Sequence, residues 1–107
     1  MSQYMLVYLG GNQPATPEEG KKHFVKYMEW LGALGDAVVS PANPIKNTHS
    51  INADGSVTSG GNTGMSGYTI IEADSIEAAL SMAKDCPFLD IGGSLEVSER
   101  IEMSASK

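Results

Sequence analysis

Gly67-Tyr68-Thr69-Ile70-Ile71-Glu72-Ala73-Asp74-Ser75-Ile76-Glu77-Ala78-Ala79-Leu80-Ser81-Met82-Ala83-Lys84-Asp85-Cys86-Pro87, closing on Gly92-Gly93-Ser94-Leu95-Glu96-Val97, reads as strand, capped helix, then strand. Tyr68 to Ala73 is apolar and rich in β-branched residues, which suits a pleated, buried element. Asp74 stands three residues before Glu77, so a helix can start there with side chains satisfying its free N–H groups. Ile76, Ala79, Leu80 and Ala83 recur at helical spacing and form its expected buried face, with the alanines permitting close approach to a sheet. Pro87 is expected to end it. From Leu95 to Met103 apolar Leu95, Val97, Ile101 and Met103 alternate with polar residues, as in a last strand with one wet face.

The N-terminal half supplies a second unit of the same kind. Tyr4 to Leu9 is a strand with apolar groups on both faces: Met5, Val7 and Leu9 on one, Tyr4, Leu6 and Tyr8 on the other. Gly10-Gly11 ends it. Thr16-Pro17-Glu18-Glu19 then opens a helix, with Thr16 as N-cap, Pro17 at the first helical position and Glu19 completing a capping box. Phe24, Tyr27, Met28, Leu31 and Leu34 make the expected core stripe, which stops at Gly35. Ala37 to Ser40 is a short strand before the Pro41/Pro44 break. Asn43 to Ser66 is either a long loop or a loop with a short hairpin inside it. His49 to Ile51 and Ser56 to Thr58 flank Asp54-Gly55, whose preference for positive φ favours the hairpin. Ser59 to Gly64 has little side chain to bury and is expected to be mobile without a ligand or partner. The element order is β-α-β, hairpin, β-α-β, an α+β chain of the ferredoxin-like split βαβ type with an antiparallel sheet. Because both helices cover one sheet face, the apolar groups on the other imply a homodimer packed sheet to sheet, with a cavity between the layers.

Composition limits the function. The 107 residues suffice for one domain, 1–107, with a single core. Thirteen acidic against seven basic residues give a net charge of −6, which repels phosphate backbones, so no nucleic-acid partner is expected. The apolar N-terminal run has no basic flank and falls short of the ~20 residues of a membrane span. One cysteine excludes an internal disulfide, and the cytoplasm is the expected compartment.

The order and spacing of Tyr4-Met5-Leu6-Val7-Tyr8, Thr16-Pro17-Glu18-Glu19, Gly67-Tyr68, Glu72-Ala73-Asp74-Ser75, Cys86-Pro87 and Gly92-Gly93-Ser94-Leu95-Glu96-Val97 resemble the YCII-related family across nearly the whole chain. The resemblance implies a dimeric α+β barrel. Some members of that family act in dehalogenation, others occur joined to or beside sigma factors, and most have no assigned reaction. Where DGPF-type members carry Asp-Gly-Pro-Phe followed by Glu and Lys, this chain has Ser59-Gly60-Gly61-Asn62, so the acid–base groups of that motif are absent and the motif is degenerate. The histidine that YciI-like members place on the first helix, acting with an aspartate, aligns without gaps to Phe24.

Candidate chemistry rests on few residues. His23 lies on the first helix near Tyr27 and Trp30, where a neutral imidazole facing a cleft would serve as a general base, with Asp36 as its partner. The competing readings are a packing or solvent-facing histidine and a turn aspartate. His49 in the hairpin is a candidate ligand contact, against a plain exposed strand residue. Tyr4, Tyr8 and Tyr68 are candidate ligand-binding rings on one sheet face, against a role in filling a dimer interface. Two histidines without clustered cysteines or carboxylates do not make a metal set, and neither metal nor cofactor is expected. Cys86, after a helix end and beside Asp85, is expected to pack rather than react. Glu72, Asp74, Glu96, Glu99 and Glu102 read as solvated surface. Gly60 to Gly64 lacks the following Lys and helix of a phosphate cradle. Two function classes follow: a small enzyme acting on a small organic molecule in the cavity, and a non-catalytic ligand-binding or regulatory dimer.

Overall fold

The computed structural model describes residues 1–101. Strands β1 (Ser2–Gly10), β2 (Val38–Pro44), β5 (Met65–Ala73) and β6 (Gly93–Glu99) form one sheet in the order β2-β5-β1-β6. All three neighbouring pairs are antiparallel. Helices α1 (Pro17–Leu34) and α2 (Ile76–Ala83) connect β1 to β2 and β5 to β6, which is the split βαβ arrangement of a ferredoxin-like α+β fold. Strands β3 (His49–Ile51) and β4 (Val57–Ser59) pair with each other in a separate two-stranded sheet, the inserted hairpin. Its second strand starts one residue later than expected. Gly55 sits at φ 90° in the turn, and the Asp54 carboxylate accepts from the Ser56 hydroxyl at 2.7 Å and N–H at 2.9 Å. These bonds hold the Asp54 carboxyl below its ordinary value.

The sheet has a dry and an open face. Tyr4, Leu6 and Tyr8 of β1 and Thr69, Ile71 and Ala73 of β5 are buried beneath the helices. Met5, Val7 and Leu9, with Tyr68 and Ile70, take the opposite side and are only partly buried. Val7 stands opposite Tyr68, and Tyr8 opposite Gly67. The expectation that Tyr4, Tyr8 and Tyr68 share a face is therefore corrected: side chains alternate along a strand, and this register puts Tyr68 with Val7.

Helix α1 starts as expected at Thr16, whose hydroxyl accepts from the Glu19 N–H at 3.1 Å. The Glu19 carboxylate reaches back to the Ala15 N–H, one residue earlier than a standard capping box. Gly35 at φ 56° closes the helix. Its buried face differs from the expected stripe. Tyr27, Trp30, Leu31 and Leu34 pack on the core, whereas Phe24 is 60% and Met28 47% exposed. The face is turned towards α2, where the Trp30 indole N–H donates to the Met82 carbonyl at 3.0 Å. Met82 lies in the last turn of α2, whose carbonyls lack helical partners, so the indole satisfies one of them.

Four boundaries shift. The α2 cap is Ser75, not Asp74: its hydroxyl accepts from the Ala78 N–H at 3.1 Å. Leu80 is 41% exposed, leaving Ala79 and Ala83 as the tight contacts. The helix stops at Ala83, and Pro87 opens a 3₁₀ turn, Pro87–Ile91, in place of ending α2. Strand β2 passes Pro41 as far as Pro44, because it is an edge strand where a missing N–H is tolerated and its register slips twice. The last strand ends at Glu99. Arg100 and Ile101 follow it, while Glu102 and Met103 lie outside the described residues.

Candidate functional site

Three hydroxyls meet where α1 crosses the dry face of the sheet. Tyr8 Oη lies 2.5 Å from Thr69 Oγ1 and 2.8 Å from Tyr27 Oη, and Tyr27 Oη is 3.2 Å from Thr69 Oγ1. Thr69 in turn donates to the Pro41 carbonyl. Thr69 is fully buried, and this cluster satisfies it, as a buried hydroxyl requires. The tyrosine rings meet edge to face with centroids 6.0 Å apart. Burial pushes the Tyr8 phenol far above its ordinary value, so it stays protonated.

Beside the cluster lies a cavity of about 350 Å³, within the size range of small-molecule sites. Tyr8 and Tyr27 line it, as do Gly20, His23 and Phe24 from the N-terminal half of α1. Ala42, Asn43 and Pro44 at the end of β2, Ser66 and Gly67 at the start of β5, Pro14 and Phe88 complete the lining. Glycines set the position of two of its walls. A Cβ at Gly67 would stand 2.8 Å from the Asn43 carbonyl oxygen, so only glycine lets β2 approach this closely here. The Phe88 ring, 5.2 Å from that of Tyr8, lies against Gly93 and Gly11, where added Cβ atoms would meet it at 2.2 and 2.8 Å. Asn43 donates to Ser40 Oγ at 2.9 Å and the Tyr68 carbonyl at 3.1 Å, so its Oδ1 remains an acceptor.

The residues singled out from sequence are dispersed. His23 and Tyr8 line the cavity. Phe24, where the family resemblance implied a histidine, lines it too, so adjacent positions on α1 reach the same space. Asp36 does not. It is exposed in the 3₁₀ turn Gly35–Ala37, and at ~1.5 Å rise per residue about 16 Å of helix separates His23 from Leu34. The expected His23–Asp36 pair is corrected on that ground. His49 is exposed in the hairpin, with Nδ1 2.9 Å from the Asn47 carbonyl oxygen, and Tyr4 is a core residue; neither lines the cavity. Tyr68 is on the other face of the sheet. Within the protomer this cavity lies on the helix side of the sheet. Cys86 is buried, and burial pushes its thiol up to about 11, as befits a packing residue. Among the described residues no group of three or more His, Cys, Asp or Glu could hold a metal, and no helix is long and apolar enough to cross a membrane.

Sequence reasoning missed Thr69, Asn43 and Phe88. Thr69 reads as an ordinary strand residue, and its role follows from a partner 61 positions away. Pro87-Phe88 before Gly92-Gly93 was the available signal: an aromatic in a proline turn followed by glycines able to seat it.

No family model matches the chain, and no curated protein does. Among solved structures, the 5-chloro-2-hydroxyhydroquinone dehydrochlorinase TftG of Burkholderia phenoliruptrix AC1100, in complex with 2,5-dihydroxybenzoquinone, is similar over 95% of both chains with a TM-score of 0.58. At 15% identity, the likeness is one of fold.

Proposed function

We propose that the chain is a single YCII-related domain, 1–107, with a degenerate DGPF motif, acting as a small cytoplasmic enzyme on a small aromatic molecule by acid–base chemistry. The observation that carries this reading is the apolar cavity that holds His23 beside the Tyr8–Tyr27 hydroxyls. An imidazole beside a bound ring can take or return a proton at a ring oxygen or carbon. The fold shared with a dehydrochlorinase whose structure holds a benzoquinone supports the substrate class. The protein would work as a homodimer through the open sheet face. Asp36, His49, Tyr4 and Tyr68 have no place at this cavity within one protomer; in the proposed dimer, Tyr68 belongs to the interface.

One observation favours a second reading, a non-catalytic ligand-binding or regulatory dimer. His23 makes no hydrogen bond to a carboxylate among the described residues, so nothing there orients its ring as a catalytic base is usually oriented. Incubation with a panel of hydroxylated and chlorinated phenols, followed by absorbance, distinguishes the two. The enzyme reading expects turnover that His23→Ala abolishes. Saturable binding with no turnover assigns the protein to the second class.

A further inference from the structure

The hydroxyl cluster has more oxygen–oxygen contacts than hydrogens to fill them. Thr69 gives its hydrogen to the Pro41 carbonyl, the acceptor at the end of the chain. Two phenol hydrogens then serve three oxygen–oxygen contacts, since each hydroxyl carries one donor. If Tyr8 donates to Thr69, that chain is complete without Tyr27. Tyr27 is then free to donate either to Tyr8 at 2.8 Å or, by turning its hydroxyl, to an acceptor in the cavity, and in both cases its hydrogen stays paired.

The remaining lining sets what could receive it. Apart from the tyrosines, the polar residues of the lining are His23, Asn43 and Ser66, and the last donates to the Tyr8 carbonyl oxygen at 3.4 Å. No lysine or arginine is among the lining residues. Apolar walls penalise a charge that no fixed cation compensates.

Resting on the reading of this cavity as a ligand site, we propose that Tyr27 is its hydrogen-bond donor, selecting uncharged oxygenated rings over ring carboxylates. A ring oxygen accepts from Tyr27, and a ring hydroxyl donates to Asn43 Oδ1.

Trp30 is the only tryptophan, and its ring centroid lies 5.8 Å from that of Tyr27, so its fluorescence reports on occupancy. The test titrates the full chain with hydroquinone and, separately, with 4-hydroxybenzoate. Hydroquinone is expected to bind saturably and more tightly than the carboxylate. Tyr27→Phe should weaken it by roughly tenfold, the worth of one hydrogen bond. Thr69→Val separates this from damage to the fold. Without the threonine acceptor, Tyr8 can donate to Tyr27 and still leave the Tyr27 hydrogen for the ligand, so affinity should hold within about twofold while stability falls. Equal hydroquinone affinity in wild type and Tyr27→Phe, or tighter binding of 4-hydroxybenzoate, overturns the inference alone. Absence of saturable binding by wild type overturns the ligand-site reading and the inference with it.

Discussion

Val7 and Tyr68 stand directly opposite each other on neighbouring antiparallel strands, on the sheet face that carries neither helix. Met5, Leu9 and Ile70 continue the apolar surface around them, and all five are partly buried within the protomer. Such a surface favours association of two copies about a two-fold axis. Light scattering at micromolar concentration should give about twice the protomer mass. Val7→Asp, which puts a charge at the centre of that face, should halve it. A wild-type protomer mass would remove the sheet-to-sheet dimer.

The turned face of α1 makes a prediction that the sequence stripe would invert in part. Leu31 is 6% exposed, and Leu31→Ala should cost about 2–5 kcal/mol. Phe24 sits in the expected stripe but is mostly exposed, so Phe24→Ala should cost less than about 1 kcal/mol, close to Lys21→Ala. Urea midpoints at constant slope measure both. Equal losses at Leu31 and Phe24 would show that the helix presents the stripe instead.

Alkaline pH should unfold the protein through two buried acids. The Cys86 thiol rises to about 11 in the folded state, from about 8.5 in an open chain. Its contribution is therefore present below about pH 8.5 and lost as pH climbs through 11. Tyr8 is raised further, from about 10, so its contribution is full below pH 10 and falls above it. Urea midpoints should decline from about pH 9 and more steeply beyond 10. Cys86→Ala should flatten the first part of that decline relative to the wild-type slope, and Tyr8→Phe the second. An unchanged profile in both variants would assign the alkaline transition to other groups.

The start of α1 and the hairpin turn were legible because their causes are local. Thr16, three residues from Glu19, and Asp54-Gly55 act over a single turn of chain: the Thr16 cap forms where expected, and the hairpin turn forms with its second strand one residue later. Ser75 displaced Asp74 as the α2 cap because either oxygen could reach a free N–H, and the backbone direction into the helix chooses between them. Trp30 was hidden for a different reason. A stripe drawn from spacing treats every direction around α1 alike, whereas α2 lies on one side and offers the Met82 carbonyl there.

By itself the sequence determined the alternation of strands and helices, the hairpin and the acidic balance of the chain, since periodicity, capping and net charge are properties of neighbouring residues or of their sum. It also brought forward His23 and Tyr8, both of which line the cavity. Only the tertiary structure decided that Tyr8, Tyr27 and Thr69 share their hydrogens, that Asp36 lies beyond the far end of α1 and away from His23, and that the cavity opens beneath the helix. Those relations depend on strand register and on the packing of α1. A one-residue change in register exchanges the faces of a sheet, and that choice is made by contacts between residues distant in the chain.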